Sequence, residues 1–279
     1  MHIRHMSIND LDFALNLIML EGWSGTRQNL EELLRYNPKG SFIGEIDGKP
    51  MSMICTVNYG EFGFIGNLIV QQLYRGQNFG KYLMEFAMKY LLDNGTNSLL
   101  LDGVPKALSL YEKLGFRKIA KSLRLEAILT GSETKYTRQM TESDLSKIDV
   151  LDSRYFGGSR EKFLRMRFVA NPGLSKVIEI DGDLQGFIMG GYRKDSVRIG
   201  PMVIDGHSKA AEHLLAEFSG RSEETIHKIG VLETNIHALK LLKQYGFKET
   251  SYSWRMVYGR DTEATLSNHL YAIGGPDRG

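Results

Sequence analysis

The sequence predicts a mixed α/β protein built from two copies of one domain, and three observations predict it: the length, an internal repeat, and the order of elements within the repeat. The chain has 279 residues, and at about 150 residues per domain the prior is two domains. The segment Ala107-Leu-Ser-Leu-Tyr-Glu-Lys-Leu-Gly-Phe-Arg117 parallels Ala238-Leu-Lys-Leu-Leu-Lys-Gln-Tyr-Gly-Phe-Lys248 at an offset of 131. Further pairs recur in the same order at an offset of 134. Arg4 and Met6 match Arg138 and Met140, Asp10-Leu11 matches Asp144-Leu145, and Asn37-Pro38 matches Asn171-Pro172. Glu45-Ile-Asp-Gly48 matches Glu179-Ile-Asp-Gly182, and Ile65-Gly66 matches Ile199-Gly200. The change in offset means that the second copy loses three residues between positions 200 and 238. The copies are expected at residues 1–132 and 133–279, joined through the polar stretch near Thr130 to Tyr136.

The first copy reads as helices, hairpin, strand, helix, strand, helix, strands. Ser7 is an N-cap for a helix over Ile8 to Leu20, whose apolar residues Leu11, Leu15 and Ile18 share one face. A second helix fits Arg27 to Tyr36 and stops before Asn37-Pro38. Asp47-Gly48 signals a hairpin between Phe42–Ile46 and Pro50–Asn58. A strand covers Phe64 to Val70, and a long helix covers Phe79 to Asp93, with Leu83, Met84, Ala87, Tyr90 and Leu91 at helical spacing. A buried strand follows from Ser98 to Asp102. The helix Pro105 to Leu114 opens with proline in its first turn. Strands from Phe116 to Leu129 close the copy.

Composition excludes several classes. With 24% charged and 42% hydrophobic residues the chain is an ordinary globular one, neither disordered nor collagen-like. Its 35 basic and 33 acidic residues give a net charge of +2, without the basic block of a nucleic-acid or anionic-membrane binder. One cysteine, Cys55, rules out an internal disulfide or a cysteine-rich zinc site and fits a reducing, cytoplasmic compartment. Cys55 has no motif that would mark it as a nucleophile and reads as a buried thiol. No apolar run of about 18 residues suggests a membrane span, and Met1 to Asp10 lacks the apolar core of a signal peptide. The histidines are scattered, without metal-ligand spacing, so no metal is expected.

The chemistry points to Val70-Gln-Gln-Leu-Tyr-Arg-Gly-Gln-Asn-Phe-Gly-Lys81, which joins a strand to a helix. Gly76, Asn78 and Gly80 let the backbone curl tightly. The unsatisfied N–H groups of a first helical turn favour an anion there, and Arg75 and Lys81 add charge. Neither a GxxxxGK[ST] loop nor GxGxxG is present.

This loop, Val70-x-x-x-Tyr-Arg-Gly-x-Asn-x-Gly80, together with Ala107-Leu-x-Leu-Tyr-Glu-Lys-Leu-Gly-Phe116, resembles the GNAT superfamily of acyl-CoA-dependent N-acyltransferases. The first segment is similar to the family's coenzyme A pyrophosphate loop and the second to its last-helix motif. The resemblance covers the first copy well, and the second by element order and Gly246-Phe247. It implies two tandem domains, each a mixed, mostly antiparallel twisted sheet flanked by helices. This copy departs from the pattern at Asn78, which replaces the loop's first glycine, and at Val104, where many relatives carry Asn. Asn tolerates left-handed backbone, so the turn is expected to survive.

The resemblance implies acetyl-CoA as co-substrate and no metal. Arg75, Gly76, Gln77, Asn78, Phe79, Gly80 and Lys81 would hold the pyrophosphate, and backbone groups at Leu68, Ile69 and Val70 the pantetheine, where the strand parts from its neighbour. It implies general-acid work for Tyr111, whose phenol would give a proton to the departing thiolate. The base stays open among Glu21, Glu61, Asp102 and a water chain. Glu21 and Trp23 lie in the loop that lines the family's acceptor pocket, and Trp23, Tyr59, Phe62 and Phe64 read either as an aromatic wall there or as ordinary core aromatics. The expected acceptor is a small-molecule or protein amine, with no nucleic acid and no membrane, and the chain is expected as monomer or homodimer.

In the second copy, alignment at offset 134 sets Lys209-Ala-Ala-Glu-His-Leu214 against Arg75–Gly80, with the turn-permissive residues gone. Leu242 replaces Tyr111, Tyr245 lies one turn later, and Asn235 stands where the first copy has Val104. This copy is expected not to bind coenzyme A. The main reading is therefore acyl transfer in the first copy. The alternative is a non-catalytic acyl-CoA sensor.

Overall fold

The computed structural model describes residues 1–129, 134–206, 208–219, 225–260 and 266–279; residues 130–133 of the expected link lie outside them. The chain forms two compact units. The first comprises Met1–Lys118, Met256–Asp261 and Arg278, and the second Ile119–Arg255, Thr262–Asp277 and Gly279. The division therefore does not follow the repeat at its ends. The strand after the last helix of the first copy is grouped from Ile119 onward with the second unit, and Met256–Asp261 with the first.

The first unit begins with β1 (His2–His5), α1 (Leu11–Leu20), α2 (Arg27–Tyr36), β2 (Ser41–Ile46), β3 (Lys49–Asn58) and β4 (Phe62–Val70). It continues with α3 (Phe79–Asp93), β5 (Ser98–Gly103) and α4 (Leu108–Lys113), which lead into β6 (Arg117–Ile128). The strands pair in the order β1-β2-β3-β4-β5, antiparallel except for the parallel pair β4/β5.

Each element has a local cause. Ser7 opens a short 3₁₀ turn, Ile8–Asp10, ahead of α1, and its backbone and hydroxyl both donate to the Asp10 carboxylate. Thr26 caps α2 by accepting from the Asn29 backbone. Asp47 and Gly48 take φ of 49° and 73°, the left-handed pair that a tight hairpin needs. The apolar face of α1 buries Leu11 and Ala14, and that of α3 buries Leu83, Met84 and Ala87; Phe42, Ile54 and Leu99 of the sheet are buried as well. The expected helix Pro105 to Leu114 is a 3₁₀ turn, Pro105–Ala107, followed by α4.

The second unit repeats this order with β7 (Thr137–Gln139), α5 (Leu145–Phe156), α6 (Glu161–Ala170), β8 (Ser175–Ile180), β9 (Asp183–Tyr192) and β10 (Ser196–Ile204). Then come α7 (Ser208–Ser219), β11 (Ile226–Leu232), α8 (Ile236–Gln244), β12 (Lys248–Gly259) and β13 (Leu270–Ala272). Its strands follow the order β6-β11-β10-β9-β8-β7, with β13 on β10. The mixed α/β fold is as expected, but β1, β7 and β13 were not. Each is only three or four residues long, too short for an alternating pattern to show.

Candidate active site

The site of the first unit starts from a fault in its sheet. Met53 pairs with Ile69 but Cys55 with Gly66, so Asn67 and Leu68 together oppose Ile54. This is a β-bulge, with Asn67 at φ 52°. On the other side of β4 the parallel ladder runs from Phe62/Ser98 to Ile65/Leu101 and ends there. Among the described residues, Gly66–Val70 are thus paired with a strand on the β3 side only. Leu68, Ile69 and Val70 lie on this open edge, which can take an extended ligand as a further strand.

The edge runs into the loop before α3. Gly76 and Asn78 have φ of 80° and 63°, so Asn78 adopts the left-handed geometry expected of it. Asn78 is the N-cap of α3 but its side chain caps nothing, in contrast to Thr26 at α2. The first-turn N–H groups, Phe79, Gly80 and Lys81 among them, are left without a side-chain acceptor, which is the arrangement that attracts phosphate. A Cβ on Gly80 would meet Val70 Cγ2 at 3.6 Å and Leu110 Cδ2 at 3.8 Å, ordinary contacts, and its backbone has no left-handed φ. The protein's own packing does not demand glycine there. Close approach of a ligand would.

Charge at the loop is arranged differently from the expectation. Arg75 Nε donates to the Val70 carbonyl at 2.9 Å, and its Nη2 pairs with Glu21. Lys106 pairs with the other oxygen of the same carboxylate. Burial pushes Glu21 upward, but Lys106 and then Arg75 outweigh it and hold Glu21 below the usual glutamate range. A carboxylate so held is a weak base. Lys81 faces Glu85 at 3.7 Å, and Gln77 Nε2 donates to the Leu73 carbonyl at 3.4 Å.

Tyr111 is the buried residue of α4. A Cβ on Gly103 would lie 2.9 Å from both Cδ2 and Cε2 of its ring, so the absence of a side chain at Gly103 lets the ring lie against the end of β5. Gly103 is two residues beyond the last β4/β5 pair, so the ring stands beside the open edge. Burial raises the phenol to about 12, which keeps it protonated at any working pH.

The remaining candidates separate. Glu61 precedes β4 and is exposed at its far end, where Asn97 Nδ2 donates to it at 3.3 Å; five or more strand residues, roughly 17 Å, part it from the open edge. Asp102, half-buried, neighbours Gly103, and strand alternation turns its side chain away from the Tyr111 face. Trp23 is half-buried. Of the two readings for the aromatics the core one holds for Tyr59, Phe62 and Phe64, which are buried, and Tyr59 donates to the Arg278 carbonyl at 2.7 Å. The sequence reading missed Lys106 and Gly103. Lys106 carried no signal, because its partner Glu21 is 85 positions away. Gly103, just ahead of the last helix, was legible as a glycine but not as the seat of an aromatic ring.

The second unit carries the same fault and fills it with its own chain. Ile199 pairs with Gly190 but Met202 with Ile188, and the parallel β10/β11 ladder ends at Ile199/Ile229. β13 enters beyond that point, with Met202 opposite Ala272 and Val203 opposite Leu270. On its other side the Ile273 N–H donates to the Gly230 carbonyl of β11 at 2.9 Å. Asn235 fixes this segment: its Nδ2 donates to the carbonyls of Asn268 (2.8 Å) and Leu270 (3.1 Å), and its Oδ1 caps Ala238 at 2.9 Å. The in-register alignment of Lys209–Leu214 with the loop is corrected, because those residues lie inside α7. The connection is much shorter: β10 ends at Ile204 and α7 begins at Ser208, where the first copy has Val70 and Phe79. Leu242 is buried at the position of Tyr111, and Tyr245 donates to the Glu212 carbonyl at 3.2 Å.

Among the described residues, no helix is long and apolar enough to cross a membrane, and no group of three or more His, Cys, Asp or Glu residues could hold a metal ion. Two family models match the chain: one described as "Acetyltransferase (GNAT) family" over residues 11–116, the other as "Acetyltransferase (GNAT) domain" over residues 148–272. The chain is 21% identical over 262 residues to the holothin acyltransferase of Pseudoalteromonas sp. (strain SANK 73390), covering 92% of this chain and 87% of that one. It is 24% identical over 269 residues to an uncharacterized N-acetyltransferase, YitH, of Bacillus subtilis (strain 168), covering 93% and 92%. The fold is also that of a protein from Pyrococcus horikoshii solved as a candidate acetyltransferase, with a TM-score of 0.83 at 19% identity, covering 100% of this chain and 95% of that one.

Proposed function

The chain belongs to the GNAT acetyltransferase family, with two of its domains in tandem, and from that premise we propose that its first unit moves an acetyl group from acetyl-CoA to a primary amine by direct attack. The observation that carries this reading is the open edge Gly66–Val70 running into the uncapped N-terminus of α3. The residues present fit the co-substrate. The edge would pair with the extended pantetheine, and the N–H groups of Phe79, Gly80 and Lys81 would face its pyrophosphate. When bound, acyl-CoA supplies the thioester.

Tyr111 is then the proton donor. The amine nitrogen forms a bond to the acyl carbon, the carbon–sulfur bond breaks, and the Tyr111 hydroxyl gives its proton to the leaving sulfur. The proton released by the amine restores the phenol by way of solvent. Burial keeps Tyr111 neutral until it is needed. The acceptor is a small-molecule or protein amine entering on the side of Glu21 and Trp23. In the second unit β13 stands where pantetheine would pair, and the connection in place of the phosphate loop is much shorter, so that unit is assigned no co-substrate.

The test is release of free coenzyme A thiol from acetyl-CoA over a panel of amines, with wild-type chain and Tyr111→Phe. Turnover on at least one amine, lowered about 10²-fold or more in kcat by the substitution, is expected. Unchanged kcat in the variant would remove Tyr111 as the acid. Binding without turnover on any amine would favour the sensor reading, whose supporting observation is that Glu21 is held below the usual range and is a poor base.

A further inference from the structure

The second unit holds a half-buried arginine, one edge of whose guanidinium is buried and has no partner among the described residues. Nε and Nη2 of Arg198 on β10 are both buried and donate to no partner among the described residues, although the residue as a whole keeps some exposed surface. Buried polar groups are almost always satisfied, and charged ones carry the largest penalty when they are not. The same unit shows what a satisfied arginine looks like. Arg160 uses this very edge on Asp152, Nε to Oδ2 at 2.7 Å and Nη2 to Oδ1 at 2.9 Å.

The surroundings of Arg198 favour an anion. Arg198 lies opposite Gly191 on β9 and Lys228 on β11. Gly230 is two residues beyond Lys228, hence on the same face, and is paired with Arg124 on β6. A Cβ on Gly230 would meet Ile273 Cγ1 at 2.8 Å and Cδ1 at 2.9 Å, and Arg198 Nη2 at 3.4 Å. A Cβ on Gly191 would come within 2.8 Å of Arg167 Nη1 and 3.4 Å of Arg193 Nη1. The absence of a side chain at Gly191 thus leaves room for two guanidinium groups over the sheet, and at Gly230 for Ile273 beside Arg198. Burial first, then Arg124, Arg193 and Arg167, push Arg198 below the usual arginine range, and Asp277 opposes them.

We propose that this face of the second unit binds the oxyanion group of a small ligand, a phosphate or a carboxylate, on the Nε/Nη2 edge of Arg198. Two parallel N–H···O bonds would form, as Arg160 forms them with Asp152. The second unit would then be a ligand-binding domain and not only a degenerate copy.

The experiment is calorimetric titration and thermal unfolding of the full chain with inorganic phosphate and, separately, with succinate, against sodium chloride at matched ionic strength. Saturable binding is expected, with a rise in the unfolding midpoint of about 2–4 °C near ten times Kd. Response to phosphate alone identifies a phosphate-bearing ligand, and response to succinate alone a carboxylate. Arg198→Met should weaken that binding at least tenfold, and this arm separates the site from the anion-attracting end of α3. Should Arg198→Met fail to fold, Arg193→Gln serves in its place with a several-fold loss expected. No saturable response beyond the chloride control overturns the proposal, as does wild-type affinity in the folded variant.

Discussion

Arg4 grips Asp10 through two hydrogen bonds, Nη1 to Oδ2 at 2.8 Å and Nη2 to Oδ1 at 2.7 Å, and Arg138 grips Asp144 in the same way at 2.7 and 2.8 Å. Glu45 and Glu179 bind the remaining side of each guanidinium. All six residues recur at the offset of 134. The clasp ties the first strand of each unit to the cap of its first helix and to the hairpin, which explains why these scattered residues repeat. The hydrogen bond from Arg4, opposed by burial and aided by Ser7, lowers Asp10 to about 2. A lowered folded value means that the stabilisation is full above the unfolded value of about 3.9 and is lost as pH falls through about 2. Asp10→Asn should cost about 1–2 kcal/mol at neutral pH and flatten the acid limb of stability between pH 4 and 2. Denaturant midpoints measured across that range check it, and an unaltered acid limb would contradict it.

Much of this was legible in the sequence, for identifiable reasons. The helix Arg27–Tyr36 and the helix Phe79–Asp93 have the bounds expected, because apolar spacing and flanking Asn or Pro mark both. Asp47-Gly48 marked its turn because only left-handed backbone fits there. What stayed hidden was long-range. The grouping of Met256–Asp261 with the first unit, the pairing of Glu21 with Lys106, and the entry of β13 into the second sheet depend on residues far apart in the chain. No periodicity records such contacts.

Gly80 offers a separation of folding from binding. An added methyl meets only ordinary contacts and replaces glycine in the first turn of a helix. Gly80→Ala should leave stability unchanged or raise it by up to about 1 kcal/mol. Acetyl-CoA affinity should nevertheless fall by tenfold or more, because the methyl occupies the approach to the N–H groups. Equal affinity for the variant and wild type would place the pyrophosphate elsewhere.

Glu21 neutralises the two cations beside the loop. Glu21→Gln frees both for an anionic co-substrate, and one charge removed at about 8 Å in a half-exposed setting corresponds to roughly two- to fivefold tighter binding. The gain should shrink with added salt. Weaker binding would mean instead that Glu21 serves to position Arg75.

Asn235 holds the segment that fills the second sheet, satisfying two carbonyls and capping α8 while only 1% exposed. Asn235→Ala should cost about 2–3 kcal/mol by leaving these groups unpaired. A change within 0.5 kcal/mol in urea unfolding would show that β13 is held by other means.

The asymmetry between the two units is tested most directly by the stoichiometry of acetyl-CoA binding to the full chain in a calorimetric titration. One equivalent per chain is predicted, lost or strongly weakened in Gly80→Ala. Two equivalents would mean that β13 yields its place in the second unit, and none would contradict the assignment of the open edge and the α3 N-terminus as the co-substrate site.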